Sequence, residues 1–446
     1  MIRRLASSVL LLALAVCFSS AVSAQPAIQP AADITKVPAA AQPSDHFDAE
    51  AATEAYMAMM PPAAVARSNA YFEGGYWLIL WDFLAGAIIS ILLLATGWSA
   101  RMRDVAERLT RFRWIQNFVY WSEYLVVSSV LAFPLTWYEG LYREQKYGLA
   151  TQTFGPWMGD QIKGFLVGLI LGGIAVMVLL AIVRRAVRTW WIWGSLFGIV
   201  FSIIGIAISP VFILPLFNKV TKLNDARVTV PVLRMAHANG IPANDVYEVD
   251  ASRQTTRMSA NVSGFAGTMR ITLNDNLLRR GSLEEIQAVM GHEMGHYVLN
   301  HILKDVFFTS VVIVLSMAYL FWSVQWSIKR YPQWGIRSPS DPAVIPLATL
   351  LVSILFFVLT PVLNTQVRMQ EKEADMFGIN ASRQPDGFAQ AAIHLGEYRK
   401  MRPGTWEERI FFDHPSGYDR IHSAMVWKGQ NLDLFRAATP VAPPQP

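Results

Sequence analysis

The sequence places two histidines and a glutamate where they could share one metal ion. Val289-Met290-Gly291-His292-Glu293-Met294-Gly295-His296-Tyr297 reads as H-E-x-x-H within a helical run that begins near Ser282. Positions i and i+4 of a helix lie about one turn apart on one face, so His292 and His296 can point two imidazoles at one ion. Glu293 sits beside them, placed to take a proton from an attacking water. Zinc, one ion per chain, is the metal this arrangement suits. The motif is short, and two histidines on an ordinary amphipathic helix would look the same. The rest of the chain has to decide between the two readings.

A third ligand must come from elsewhere. His301 lies five residues past His296, which on a continuous helix turns it off the ligand face, so it reads as structural. After the last apolar run, Val367-Arg368-Met369-Gln370-Glu371-Lys372-Glu373-Ala374-Asp375-Met376-Phe377-Gly378 looks helical, and Glu371 and Asp375 share a face. Glu371 suits a His–His–Glu site, and Asp375 could accept the free N–H of a ligating imidazole, fixing its tautomer. The alternative for this stretch alone is a solvated charged face, because Lys372 and Glu373 lie alongside. Further on, Asp413-His414-Pro415-Ser416 places a proline suited to the first turn of a helix. His414 would then be held at a helix start, where it could donate a hydrogen bond to a developing oxyanion.

The elements that position these residues belong to a membrane. The chain has 446 residues, of which 53% are hydrophobic and 16% charged; a soluble domain carries about 25% charge. Six apolar runs, at 77–98, 118–138, 165–183, 192–217, 306–326 and 344–363, reach or approach the span length, which is about 20 residues. Each has Trp or Tyr near at least one end or beside it, as the interface favours. Asp82 and Glu123 fall within these runs near an end, where a structural or topological role suits them. So few polar residues inside the spans weigh against a transporter, and the full set of candidate site residues weighs against a non-catalytic scaffold.

Residues 1–24 carry Arg3-Arg4, a short apolar core and Val22-Ser23-Ala24, the pattern of a secretory signal, with an uncleaved first span as the alternative. The only cysteine, Cys17, lies inside that segment, so a cleaved chain has no disulfide, thiolate ligand or cysteine nucleophile. Residues 25–45, rich in Ala, Pro and Gln, are expected to be disordered, and 48–69 to form a short helix leading to the membrane. Between the fourth and fifth runs, 228–239 reads as an amphipathic helix, and 246–250 and 270–274 read as strands. Gly264 and Gly267 suggest a turn, and Ser282 with Glu285 a capping box that starts the motif helix. The helix is thus preceded by a small sheet, whose edge could hold an extended peptide.

The net charge of +5 is modest, and the arginines cluster in short loops rather than in a nucleic-acid footprint, so no nucleic-acid partner is expected. Arg101, Arg103, Arg108, Arg111 and Arg113 follow the first run, Arg184, Arg185 and Arg188 the third, and Lys329, Arg330 and Arg337 the fifth. These alternate loops share the inner side under the positive-inside rule. The motif domain and the C-terminal tail then face the periplasm of a bacterial inner membrane, or an equivalent lumen.

Taken in order, these residues resemble the membrane-embedded zinc endopeptidases of the type I CAAX prenyl protease family. The resemblance covers 138–427. It includes Tyr142-Arg143-Glu144-Gln145-Lys146-Tyr147-Gly148, Pro215-Leu216-Phe217-Asn218-Lys219, Ser259-Ala260-Asn261, the H-E-x-x-H, the E-x-x-A-D from Glu371 to Asp375, and His414-Pro415 with Arg420. It implies zinc held by His292, His296 and Glu371, with Glu293 as the base. It implies Asn261 and His414 near the scissile carbonyl, Asp375 behind a ligand, and Arg420 supporting the site. The implied fold is mainly α: a polytopic membrane helical barrel around a large chamber, with a small α+β zincin peptidase domain. The expected division is 1–24 signal segment, 25–76 polar segment and short helix, 77–217 four spans, and 218–446 the peptidase domain with two further spans. The implied reaction is hydrolysis of peptide bonds in membrane-associated proteins or peptides, of CAAX or protein quality-control type. Eukaryotic members have one more span and act on the cytosolic side, which departs from the reading here. Substrate preference and oligomeric state are not encoded legibly.

Overall fold

The structure, a computed structural model, describes residues 36–263 and 269–436. The signal-like segment with Cys17, and the turn expected at Gly264 and Gly267, lie outside the described residues. Six helices are long and apolar enough to cross a membrane: Pro62–Ala95, Arg113–Lys146, Phe154–Arg185, Trp190–Phe217, His301–Arg330 and Pro342–Ser382. They match the six apolar runs one for one. Hydrocarbon forces a helix because every backbone polar group there must be satisfied within the segment. The helices run beyond the apolar cores into polar ends, which lengthens each of them.

The chain forms two compact units, and four of the candidate spans contribute residues to both. Within 78–197 and 314–355, packing is between helices. A Cβ on Gly172 would lie 2.4 Å from the Trp121 ring, so only glycine lets those two spans approach so closely. Arg103 and Asp341 form a buried ion pair at 2.8 Å, and Arg103 also donates to the Gly335 carbonyl. The Ser99 hydroxyl, 2.7 Å from the Tyr120 hydroxyl, donates to the Ala343 carbonyl.

The other unit takes in 36–77, 198–313 and 356–436, and every candidate site residue falls within it. Its helices that matter for the site are α1 (Ala49–Met57), α2 (Ala226–Ala238), α3 (Leu283–Val298), α4 (His301–Arg330), α5 (Ile345–Ser382), α6 (Pro385–Leu395) and α7 (Gly417–Gln430). A four-stranded sheet comprises β1 (Val220–Lys222), β2 (Val246–Val249), β3 (Ala260–Ser263) and β4 (Arg270–Asn274), in the order β1-β2-β4-β3. β2 and β4 are parallel; β1 and β3 run antiparallel to their neighbours. Strands β2 and β4 follow the sequence pattern. β1 and β3 escape it because β1 is three residues long and β3 opens on Ala-Asn rather than alternating β-branched residues.

Two apolar cores hold α3. Ile286, Met290 and Met294 pack with Val246, Ile271 and Leu273 of the sheet. Ala288 faces the other core, with Tyr56 of α1, Phe388 and Ile393 of α6, and Ile421 and Met425 of α7.

Three expectations change. Residues 36–45 are folded where composition suggested disorder: Ala39–Ala41 makes a single 3₁₀ turn, and the wholly buried Ala41 accepts a hydrogen bond from Lys428 Nζ at 2.6 Å. Small alanines fit close against a helix without the bulky side chains that composition looks for. The helix expected over 48–69 is split at Pro61-Pro62: α1 is capped by Asp48, and Pro62 opens the first span. Pro415 lies outside α7, because Ser416 is the N-cap, its hydroxyl accepting from the Asp419 N–H.

Candidate metal centre

The capping box begins the site. The Ser282 hydroxyl accepts from the Glu285 N–H, and the Glu285 carboxylate accepts from the Ser282 N–H. This fixes where α3 starts, and so which face carries His292 and His296. The second half of the site arrives on α5, at a crossing made of small residues. A Cβ on Gly291 would sit 2.7 Å from the Gly378 carbonyl oxygen, and one on Gly378 would sit 2.6 Å from the His292 backbone nitrogen. One turn along, Gly295 lies against Ala374. With the two backbones this close, Glu371 and Asp375 reach the imidazoles of α3.

His292 Nε2 and His296 Nε2 are 3.1 Å apart. Glu371 Oε2 is 3.2 Å from His292 Nε2, and Glu371 Oε1 is 3.5 Å from His296 Nε2. Donor atoms about 2.0–2.1 Å from one tetrahedral ion stand about 3.3–3.4 Å from one another. The three side chains therefore fit a metal. Glu371 Oε2 adds to this fit, being buried with no hydrogen-bond partner among the described residues although two ring nitrogens lie close. A buried carboxylate oxygen left unpaired is costly unless a cation answers it.

Asp375 Oδ1 lies 2.8 Å from His292 Nδ1 and accepts from Arg420 Nη2 at 2.5 Å. All three side chains are buried. The carboxylate thus holds the imidazole so that Nε2 faces the cluster, and the guanidinium neutralises the carboxylate. Burial alone would lower the pKa of His292, but the carboxylates of Asp375 and Glu371 outweigh it and raise it to about 10. His296 goes the other way, down to about 4, through burial and then the charge on His292. Burial lifts the Glu293 carboxyl to about 7, against the pull of His292. That is a value near which a carboxylate can both accept and return a proton at neutral pH.

His414 also reaches the cluster, its Nε2 3.3 Å from Glu371 Oε2. Its Nδ1 is 2.7 Å from Asp413 Oδ1, so the far nitrogen is the one that faces inward. Asn261 stands exposed on the edge strand β3, paired with Thr272 of β4. Among the described residues, no hydrogen bond ties its side chain to the cluster. Sequence reasoning did not single out Asp413, although it adjoins His414. His301, read as structural, lies with its Nδ1 2.9 Å from His296 Nδ1 and its Nε2 3.0 Å from Glu373 Oε2.

Known proteins resemble this chain along most of its length. Residues 222–428 match the model of peptidase family M48, and residues 46–219 match one described as CAAX prenyl protease N-terminal, five membrane helices. The stretch 46–219 holds four candidate spans here. The chain is 28% identical over 372 residues to an uncharacterized metalloprotease, YhfN, of Bacillus subtilis, covering 82% of this chain and 86% of the relative. It is 28% identical over 267 residues to CAAX prenyl protease 1 of Saccharomyces cerevisiae, covering 56% and 59%. The crystal structure of S. mikatae Ste24p superposes with a TM-score of 0.69 at 22% identity, over 82% of this chain and 89% of that one. That likeness is one of fold.

Proposed function

The chain belongs to peptidase family M48, and on that premise we propose that His292, His296 and Glu371 hold one zinc ion at which peptide bonds of membrane-associated proteins or peptides are cleaved. The protein is an integral membrane metalloendopeptidase, by its family and its membrane helices. The observation that carries the metal assignment is the convergence of three donor groups, the two Nε2 atoms 3.1 Å apart and the two Glu371 oxygens 3.2 and 3.5 Å from them.

Bound there, zinc would polarise the scissile carbonyl and make an attacking water more acidic. The chain's own residues do the rest. Glu293, lifted to about 7, accepts the water's proton and returns it to the leaving amine. His414 Nε2 faces the cluster and, with Nδ1–H held by Asp413, donates to the oxyanion as it develops when the ring carries both protons. Asp375 fixes the tautomer of His292, and Arg420 keeps Asp375 charged without leaving it unpaired. Asn261, exposed on β3, takes a main-chain or side-chain hydrogen bond from a peptide laid along that edge.

The substrates are peptides or membrane proteins presented from the lipid bilayer. Several relatives bear the name CAAX prenyl protease 1, and C-terminal processing is the form of cleavage their names suggest for this chain. The basic loops that follow the first, third and fifth spans support a site facing the periplasm of a bacterial inner membrane.

The test is Glu293→Gln in the full-length protein. It should keep its metal and lose peptide cleavage by at least about 10²-fold, the lower range for a lost acid–base group. Cleavage within tenfold of the unmodified enzyme would remove Glu293 from the mechanism.

A further inference from the structure

A ligating histidine works best when its second nitrogen is held. His292 has Asp375 for this. Among the described residues no carboxylate holds His296 Nδ1 directly; it lies 2.9 Å from His301 Nδ1, and the two rings meet edge to face. His301 is buried, and its other nitrogen lies 3.0 Å from Glu373 Oε2. Lys304, one turn further along α4, donates to the same oxygen at 2.6 Å. Of the two residues that flank Lys372, Glu371 turns to the cluster and Glu373 away from it, since residues two apart on a helix point about 200° apart.

The backbone is built to bring His301 there. On a continuous helix, five residues would carry it about 140° round from His296. The helix is broken instead. α3 ends at Val298, and Asn300 adopts a left-handed φ of 57°. α4 then starts at His301 itself. Asparagine is among the few residues that tolerate this conformation, and such backbone cost gathers where a site needs it.

We propose that His301 is a positioning residue for the metal centre, passing the hold of the Glu373 carboxylate to the ligand His296. Only one arrangement of protons satisfies the chain once His296 Nε2 ligates. His296 Nδ1–H donates to His301 Nδ1, and His301 Nε2–H donates to Glu373. Each imidazole is then locked in a single tautomer, and the negative charge of Glu373 reaches the ligand at one remove. The two ligand histidines are thus held differently, one directly by Asp375 and one through a neutral ring. The proposal rests on the ligand set proposed above.

The test measures metal affinity of the purified full-length protein against a competing chelator, together with the visible spectrum of the cobalt-substituted form. His301→Ala should weaken metal binding about 10–100-fold, as lost support of a ligand does, and should shift the cobalt spectrum. His301→Gln should recover most of the affinity, because an amide can accept from His296 and donate to Glu373 with the same polarity. Glu373 is half-exposed, so Glu373→Ala leaves no buried gap; it should lower affinity with thermal unfolding unchanged. Wild-type affinity and spectrum in His301→Ala would overturn the proposal. So would a His301→Gln protein that is folded yet as impaired as His301→Ala. Glu371→Ala run alongside separates the two levels, since metal retained there would bring down the ligand set itself and the relay with it.

Discussion

Gly378 lies against the backbone of His292 so closely that a Cβ added there would be 2.6 Å from the His292 nitrogen. The contact joins α3, which carries the H-E-x-x-H, to α5, which carries Glu371 and Asp375. Gly291 makes the reciprocal approach to the Gly378 carbonyl. Backbone cannot move aside as a side chain can, so the methyl must push the helices apart. Gly378→Ala should cost about 1–3 kcal/mol, the range for overpacking a close interface, and should weaken metal binding. Thermal unfolding and metal content, both unchanged, would show that the crossing tolerates a methyl and that the site does not depend on it.

Arg420 is the counter-charge of a buried carboxylate. Removing it leaves the buried Asp375 carboxyl with His292 as its one remaining hydrogen-bond partner among the described residues. Breaking one side of a buried pair costs about 3–5 kcal/mol. Arg420→Leu should therefore destabilise the protein more than Asp375→Asn, which keeps an acceptor for the His292 N–H and leaves the buried guanidinium the nearby charges of Glu371 and Glu293. Equal loss in both variants, read by denaturant unfolding of the detergent-solubilised protein, would contradict this ordering.

Metal binding should depend on pH with a definite sign. In the metal-free protein His292 holds a proton until the pH rises through about 10, whereas ligation needs the neutral ring. His296, lowered to about 4, is already neutral at pH 7. Loading must therefore expel a proton from His292 anywhere below its raised value. The apparent affinity should rise about tenfold for each unit of pH between about pH 7.5 and 8.5, and proton release should accompany the metal. A flat affinity over that interval would contradict the assignment of His292 as a ligand held by Asp375.

The orientation of the site can be read from a reporter fused after Trp427. Alkaline phosphatase, which needs the periplasm, should be active there, and a cytoplasmic reporter at the same place silent. The reverse pair of results would put the peptidase unit on the inner side and leave the basic loops without their topological meaning.

Much of this molecule is legible in its sequence, for physical reasons that differ by element. The six spans read directly because hydrocarbon leaves no alternative to a long apolar helix. β4 reads to the residue as Arg270–Asn274, since β-branched and apolar residues alternate there with polar ones. The set of His292, His296, Glu371 and Asp375 reads because each pair repeats at one helical turn. What fails is whatever depends on a break in that regularity. A continuous helix would turn His301 away from the ligand face, and the left-handed residue at Asn300 breaks that helix. Glu373 looked like part of a solvated face for want of its partner, which arrives from a different helix. Residues 36–45 looked disordered by composition, although Ala41 is buried under Lys428.

Glu371 is the decisive residue, because among the described α5 carboxylates it is the one that meets both histidines of α3. The direct measurement is the zinc content of the purified full-length protein beside that of Glu371→Ala, by elemental analysis after removal of loosely bound metal. The account predicts about one zinc per chain in the former, as for a single catalytic site, and almost none in the latter, with both proteins folded. Equal zinc in the two, or none in either under conditions where the unmodified protein cleaves peptides, would contradict it.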